Sequence, residues 1–288
     1  MNEKIPLPQN KSEDSESPKL ERETSVEQRR QEVIESIRDD YGILFITLVP
    51  SDVVQKFGVS GDHEWFRDAL GIQGDSKNLK TLDAVNQELP DTVEETGIII
   101  GGSPFSVYEK ENEPWMQRLQ EFLRIMHSRK KPILGVCYGH QLIASSFGGK
   151  VEKNPQGRDF GSLKVDLTDA GALDPLYEGL PKQFIASESH TDIVSKLPTM
   201  EKTLVLARND LDIHQSLAIG DTTRSVQFHP EITSATMEKI ALARREVLLE
   251  QGFVKDDADF RSFLERLKDT PEARRVLHNF VVKFVLKK

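Results

Sequence analysis

The chain has 288 residues and a formal net charge of -9 at pH 7, and 37% of its residues are hydrophobic. Binding to nucleic acid or to acidic membranes generally requires a basic face, so this charge argues against both and favours small molecules or proteins as partners. No apolar run reaches the roughly 20 residues that span a bilayer, and the charged N-terminus lacks the apolar core of a signal peptide. A cytosolic protein is therefore predicted, and its single cysteine rules out a disulfide framework.

Two predictions concern the first 40 residues. Residues 1–23 are rich in Lys, Glu, Ser, Pro and Asn and poor in large apolar side chains, so we expect a disordered tail. Between residues 24 and 40, apolar side chains recur at helical spacing, and Thr24 with Glu27 forms the pattern of a capping box. A short helix is therefore predicted over residues 24–40.

After residue 40, apolar runs of strand length alternate with amphipathic runs of helix length. The runs Ile43–Val49 and Gly97–Gly101 predict strands buried on both faces, and Lys80–Leu89 is predicted as a strand between them. His63–Leu70 and Pro114–Arg129 are predicted as helices, the second with an apolar face directed at the sheet. This alternation indicates a doubly wound α/β fold.

A glycine-rich loop, Gly101-Gly102-Ser103-Pro104, follows the predicted strand at Gly97–Gly101. Open α/β sheets place ligands at the carboxyl ends of their parallel strands. Glycine also allows backbone N–H groups to approach a substrate closely. This loop is therefore predicted to contribute to an active site.

The run from Pro132 to Ala144 predicts a sharp turn from a buried strand into a helix, with Cys137 at the corner. Such a nucleophile elbow strains the corner residue and requires small residues two positions to either side, which Gly135 and Gly139 provide. Free N–H groups at the start of the helix would favour the thiolate, which is the reactive form of cysteine. Cys137 is therefore a candidate nucleophile.

Shorter alternating segments after this helix predict antiparallel strands beside the parallel core. They are Leu163–Leu167, Gln183–Ala186, Leu204–Arg208 and His214–Ile219. The histidines of the chain show no metal-ligand spacing, so no metal is predicted. Neither a phosphate loop nor a dinucleotide fingerprint occurs, so no cofactor is predicted either.

The tripeptide His229-Pro230-Glu231 follows a further apolar run. Side chains two positions apart in an extended segment lie on one face, and Pro230 stiffens the link between them. His229 is therefore a candidate general base and Glu231 its orienting carboxylate. With Cys137 they complete the roles of a catalytic triad.

Both motifs resemble those of the class I glutamine amidotransferases, in which Gly-x-Cys-x-Gly-His-Gln surrounds the nucleophile and His-Pro-Glu contains the base. They are intact as Gly135–Gln141 and His229–Glu231, and the resemblance covers roughly residues 42–240. It implies a flavodoxin-like, doubly wound and mostly parallel sheet with a small antiparallel annex and C-terminal helices. It also implies that Cys137, His229 and Glu231 are catalytic.

The resemblance assigns the remaining candidate residues as well. The backbone N–H groups of Ser103 and Tyr138 would form the oxyanion hole, although many members have Gly at the first position. The segment 187–192 resembles the Ser-His-Gly-Asp segment that receives the ends of a glutamyl group; Thr191 replaces its Gly, and Asp192 keeps the acid that could pair with an α-ammonium. The substrate-contact residues implied are Gly102, Gln141, Ser189, His190 and Asp192.

The activity implied is cleavage of a γ-glutamyl amide through a γ-glutamyl thioester, with glutamine giving glutamate and ammonia. Residues 41–250 are expected to form the amidotransferase-like domain, ending in a helix over Ala235–Glu250, and residues 251–288 to form a helical extension too short for a synthetase domain. A separate synthetase subunit would then be the ammonia acceptor.

Two alternatives to glutamine hydrolysis stay open. The chain resembles amidotransferase domains of the GMP-synthase type, but its Gly252–Lys255 segment and helical end are similar to plant γ-glutamyl peptidases, which implies activity on glutathione-like conjugates. An inactive binding or regulatory protein on the same fold is the other alternative. The intact Cys137, His229 and Glu231 argue against it.

Overall fold

The computed structural model describes residues 41–73, 76–200 and 202–288, so the tail and the helix predicted for residues 1–40 lie outside the described residues. The strands are β1 Ile43–Thr47, β2 Leu79–Asp83, β3 Gly97–Ile100, β4 Ile133–Val136, β5 Lys150–Lys153, β6 Asp159–Leu167, β7 Gln183–His190, β8 Asp192–Lys196, β9 Thr203–Arg208, β10 Ser216–Ile219 and β11 Thr223–Val226.

The helices of this part of the chain are mostly short. They are α1 Ser51–Gln55, α2 His63–Leu70, α3 Val107–Lys110, α4 Pro114–Ser128, α5 Tyr138–Ser146, α6 Asp169–Leu173, α7 Ser234–Ala243, α8 Arg245–Glu250, α9 Asp257–Glu265 and α10 Pro271–Asn279. The chain also forms a 3₁₀ turn at Pro175–Tyr177 and a π-helical segment at Phe280–Val285. Over the described ranges, none of the helices is both long and apolar enough to cross a membrane.

One nine-stranded sheet, in the order β2-β1-β3-β4-β11-β10-β9-β6-β7, organises these elements. The five strands from β2 to β11 run parallel, and the strands from β10 to β7 pair antiparallel beside them. A separate antiparallel pair joins β5 to β8. The predicted flavodoxin-like α/β fold, with its parallel core, antiparallel annex and C-terminal helices, is confirmed.

Two hydrophobic clusters join the helices to this sheet. The larger combines fully buried strand residues such as Ile46 and Ile98 with Leu123 of α4 and Leu142 of α5. The smaller joins Phe160 of β6 to side chains of α7 and of the C-terminal helices, among them Ile240 and Phe263. The C-terminal helices thus pack against the antiparallel half of the sheet, within the compact unit Tyr41–Lys288.

Three predicted element boundaries are wrong because a local hydrogen bond turns the chain. β2 ends at Asp83 instead of Leu89, since Asp83 Oδ1 accepts hydrogen bonds from the backbone N–H groups of Val85 and Asn86 at 3.0 and 3.2 Å. β1 ends at Thr47 instead of Val49, and its Thr47 hydroxyl accepts a hydrogen bond from the Val49 N–H at 3.3 Å. β10 begins at Ser216, because the N–H of His214 donates to Asp212 Oδ1 at 2.9 Å.

Two further differences affect the site. β6 and β7 extend beyond their predicted ends, so Ser187–His190 lies on a strand paired with Asp159–Ser162. The predicted helix Ala235–Glu250 is divided into α7 and α8 at Arg244, where the backbone has φ -104° and ψ 8°. The apolar spacing continues across this break, so the pattern did not indicate it.

Candidate active site

Three loops with candidate residues leave neighbouring strands at the same edge of the sheet. Strands β3, β4 and β11 are parallel and directly paired, so their carboxyl ends lie side by side. β3 leads into Gly101–Ser103, β4 into Cys137, and β11 into His229. This strand order brings together segments that are far apart in the sequence.

Cys137 occupies a strained corner between β4 and α5. Its backbone has φ 53° and ψ -103°, and residues other than glycine rarely adopt a positive φ. The turn is tight because a Cβ atom on Gly135 would collide with the Gly139 backbone, and one on Gly139 would collide with the Ile100 carbonyl. The two glycines on which the elbow prediction rested are therefore required sterically.

His229 is held between Glu231 and Cys137. His229 Nδ1 lies 2.6 Å from Glu231 Oε1, and the Cys137 side chain is its other hydrogen-bonding partner. Burial disfavours a charged imidazole, but the neighbouring Cys137 and Glu231 side chains outweigh this effect and hold the pKa of His229 well above its ordinary value. The surroundings of His229 therefore favour the imidazolium, the form that can give a proton to a leaving group.

The loop after β3 approaches this pair closely. A Cβ atom placed on Gly102 would lie 3.4 Å from His229 Cε1 and 4.0 Å from Cys137 Cβ. The Ser103 hydroxyl is directed away from the site, since it donates to the Leu48 carbonyl at 3.3 Å. In the part of the chain that the structure describes, no group accepts a hydrogen bond from the backbone N–H of Ser103 or of Tyr138, so both N–H groups are free to bind an oxyanion.

Three of the five predicted substrate-contact residues have other partners. Gln141 Nε2 donates to the Asp192 carbonyl at 2.9 Å and to Gln227 Oε1 at 3.2 Å. Asp192 accepts hydrogen bonds from the hydroxyls of Ser106 at 2.6 Å and Tyr108 at 3.4 Å. The third, His190, is enclosed by carboxylates. Only Gly102 and Ser189 of the five line the open cleft beside Cys137.

His190 belongs to a buried charge cluster that we call the inner cluster, formed by Asp159, Glu188 and His190. Its Nε2 lies 3.4 Å from Asp159 Oδ2 and its Nδ1 lies 3.2 Å from Glu188 Oε2. Burial lowers the pKa of His190, but the two carboxylates more than compensate and raise it to about 10. The potential ligand atoms of the inner cluster lie within 4.8 Å of one another, but the imidazolium already neutralises part of its charge.

An open cleft lies beside Cys137 and His229, and two ionisable residues that sequence reasoning missed line it. Asp62 accepts a hydrogen bond from the Thr47 hydroxyl at 2.7 Å, and burial raises its pKa to about 7. Arg244 Nη1 donates to Ser189 Oγ at 2.9 Å. Neither residue belongs to a motif, and an arginine within an apolar helical pattern is ordinary on a surface helix.

Comparison with known proteins places this geometry in a family. Residues 69–247, more than half of the chain, match the model of the class I glutamine amidotransferases. A GMP synthase (glutamine-hydrolyzing) of Thermosipho melanesiensis is 42% identical over 139 residues, which cover 48% of this chain and 24% of that protein. The corresponding enzyme of Finegoldia magna is 32% identical over 203 residues, which cover 69% of this chain and 36% of that protein. The chain thus spans only about a quarter to a third of the length of these relatives.

Solved structures with low sequence identity share the fold. A glutamine amidotransferase from Thermotoga maritima superposes with a TM-score of 0.66 at 18% identity, covering 86% of this chain and 100% of that one. A glutamine amidotransferase from Methylobacillus flagellatus gives a TM-score of 0.61 at 18% identity, covering 85% and 95% of the two chains. With the nucleophile and base motifs on adjacent strands and the family model matched across both, the chain belongs to the class I glutamine amidotransferases.

Proposed function

We propose that this chain hydrolyses the side-chain amide of γ-glutamyl substrates, with glutamine giving glutamate and ammonia. The observation that supports it most directly is the arrangement of Cys137, His229 and Glu231 at one sheet edge, with a 2.6 Å contact between His229 Nδ1 and Glu231 Oε1. A nucleophile, a base and an orienting carboxylate in contact are what acyl transfer requires.

In the first step, the Cys137 sulfur attacks the γ-carbonyl carbon and forms a C–S bond. The carbonyl electron pair moves to oxygen, and the N–H groups of Ser103 and Tyr138 stabilise the resulting oxyanion. The C–N bond then breaks as His229 donates its proton to the departing nitrogen. The products of this step are a γ-glutamyl thioester on Cys137 and a free amine.

In the second step, His229 takes a proton from water, and the water oxygen attacks the thioester carbonyl carbon. The C–S bond breaks with its electron pair on sulfur, which regenerates the Cys137 thiolate and releases glutamate. Glu231 keeps the imidazole in the orientation and tautomer that both proton transfers need.

The glutamyl group is proposed to contact Gly102, Gln141, Ser189, His190 and Asp192. Asp192 would pair with its α-ammonium, and the Ser106 and Tyr108 hydroxyls would hold that carboxylate in position. His190 and Gln141 would act through their backbone or through Asp192, because their side chains already have partners.

Ammonia released by such a site is either lost or passed to an acceptor. The similar GMP synthases are named as glutamine-hydrolyzing, so we propose that a separate synthetase subunit is the acceptor if glutamine is the substrate. A self-sufficient hydrolase needs no such subunit.

The test uses the purified full chain without ATP. Glutamate release from glutamine and from a γ-glutamyl peptide is measured in parallel with mass spectrometry of the chain after exposure to a glutamine-analogue electrophile. We expect release from at least one substrate and labelling of Cys137, both absent in Cys137→Ala. Labelling without turnover would indicate that a partner subunit is required, and absence of both would favour an inactive binding protein.

A further inference from the structure

The open cleft beside Cys137 has a mostly apolar lining, which an ammonia leaving group does not need. Its walls come from the segment after β1, from α2 and from the chain after His229. Its apolar side chains include Val49, Val53, Phe57, Trp65, Ile232 and Ile240. Burying such surfaces against a ligand is favourable only if the ligand itself carries an apolar body.

The cleft lies on the side of the catalytic pair from which the amine departs. His229 gives its proton to the departing nitrogen, so the leaving group must lie against His229. The cleft is lined by His229 and by Glu231 and Ile232, which follow it in the chain. Of the residues proposed to contact the glutamyl group, Gly102 and Ser189 also line the cleft, whereas Gln141 and Asp192 do not. The apolar part of the cleft, which includes Ile232, is therefore assigned to the leaving group, and Gly102 and Ser189 to its boundary with the glutamyl group.

Arg244 places a cation in this cleft. It lies at the break between α7 and α8, is partly buried, and lines the same cleft as Cys137. Among the residues that the structure describes, its guanidinium has one hydrogen-bond partner, the neutral Ser189 hydroxyl at 2.9 Å. Across the described ranges of the chain, no carboxylate lies within ion-pair distance of Arg244, although the adjacent Arg245 pairs with Asp257.

A partly buried guanidinium that pairs with no carboxylate is available to bind an anionic ligand group. Guanidinium groups bind carboxylates with two parallel hydrogen bonds, which also fixes the orientation of the ligand. An apolar wall and an unpaired arginine in one cleft match an apolar α-amino acid or a short peptide with a free carboxylate.

We propose that the cleft receives the leaving amine of γ-glutamyl amino acids or short γ-glutamyl peptides with an apolar side chain, and that Arg244 binds the carboxylate of that leaving group. This inference rests on the proposed γ-glutamyl hydrolysis and names its substrate class. Glutamine, whose leaving group has neither an apolar body nor a carboxylate, is then the poorer substrate.

The test compares kcat/KM of the full chain for γ-glutamyl-leucine, γ-glutamyl-isoamylamide and glutamine. The first two differ only by the carboxylate of the leaving group. We expect wild type to prefer γ-glutamyl-leucine, and Arg244→Gln to lower kcat/KM for this substrate by roughly 10- to 100-fold, the effect of losing a hydrogen-bonded charge partner. The other two substrates should change less than about threefold, and Arg245→Gln is the matched control.

An equal loss on all three substrates would overturn the assignment, because Arg244 would then bind the α-carboxylate that all γ-glutamyl substrates share. No loss on any of them would remove Arg244 from substrate binding altogether. An unchanged unfolding midpoint shows that Arg244→Gln retains its fold.

A binding measurement separates this proposal from the proposed function. Calorimetric titration of Cys137→Ser with leucine and with isoamylamine requires no turnover. We expect Cys137→Ser to bind leucine more tightly than isoamylamine, and the added Arg244→Gln change to weaken the binding of leucine. This result would support the cleft assignment even if wild type hydrolysed none of the substrates. Equal affinity for leucine with and without Arg244 would overturn it even if hydrolysis were observed.

Discussion

His229 and His190 are both nearly buried imidazoles beside carboxylates, but they differ in what faces the second ring nitrogen. Their side chains are 10% and 3% exposed, and the His229 N–H donates a hydrogen bond at 2.8 Å to the carbonyl of Ser187, which lies on the strand that ends in His190. His229 has Glu231 on one side and Cys137 with the open cleft on the other. His190 has a carboxylate near each nitrogen, as described for the inner cluster.

The difference shows how one residue type serves reactivity in one place and stability in another. An imidazole between two carboxylates has no nitrogen free to exchange a proton with a substrate, so it acts as a buried counter-ion. An imidazole with one carboxylate and one reactive neighbour is oriented on one side and can transfer a proton on the other. Substitutions in the two regions should therefore affect different measurements.

Cys137→Ala should have the largest effect. Because the sulfur forms the acyl intermediate, kcat for the preferred γ-glutamyl substrate should fall by at least about 10⁴-fold, while the unfolding midpoint stays within a few degrees of wild type. Steady-state kinetics with a thermal melt of the same sample measure both. Wild-type turnover in the purified variant would contradict the proposed mechanism.

Glu231→Gln should lower kcat less than Cys137→Ala does, since the carboxylate orients His229 without reacting. We expect kcat to fall by about 10²- to 10³-fold, short of the loss for Cys137→Ala. The pKa of His229 should also fall, because one of the negative charges that raise it is removed. A loss as large as that for Cys137→Ala, measured under the same conditions, would require a further role for Glu231.

His190→Ala should act on stability. Removal of the imidazolium leaves Asp159 and Glu188 as buried, unpaired carboxylates, which should lower the free energy of unfolding by about 3–5 kcal/mol in urea titrations near pH 6. His190→Gln is the milder second variant if His190→Ala does not fold.

The pH dependence of the His190 effect has a definite sign. The pKa of His190 is raised to about 10 in the folded chain, so its stabilisation is complete below the unfolded pKa of about 6.5 and is lost as the pH rises through 10. The stability difference between wild type and the variant should therefore shrink over this interval. A difference that does not change with pH would show that packing, not charge, is responsible.

Asp62→Asn should have the smallest effect of these variants. It should raise the free energy of unfolding, whereas His190→Ala should lower it. The pKa of Asp62 is raised to about 7, because burial and the charge of Glu231 together outweigh the hydrogen bond from Thr47 that lowers it. Folding therefore favours the protonated acid, so wild type loses stability relative to the neutral variant as the pH rises from about 4 to 7. Asp62→Asn should be more stable than wild type by roughly 1–3 kcal/mol at pH 8.

The two proteins should unfold at similar urea concentrations below pH 4, where Asp62 is protonated in both states. A constant gap across the whole pH range would mean that the amide changes local packing instead of removing a charge. A wild type that is more stable at pH 8 would mean that Asp62 has a cationic partner in solution.

Local sequence determined the parts of this site that depend on short-range geometry. Gly135 and Gly139 indicated the elbow because steric exclusion around a strained corner acts within a few residues. His229-Pro230-Glu231 indicated the contact between base and carboxylate because an extended tripeptide places alternate side chains on one face. The apolar runs also predicted the parallel core, because a strand that is buried on both faces has an unbroken run of apolar residues.

Tertiary structure alone decided which histidine faces the nucleophile and what lies across the cleft. His190 stood in a motif that predicted substrate contact, yet Asp159, which is remote in sequence, reaches it through the pairing of β6 with β7. Arg244 and Asp62 come from segments with no functional pattern and meet the cleft only after the sheet has assembled. Burial and charge balance depend on neighbours brought together across the fold, and no local spacing records them.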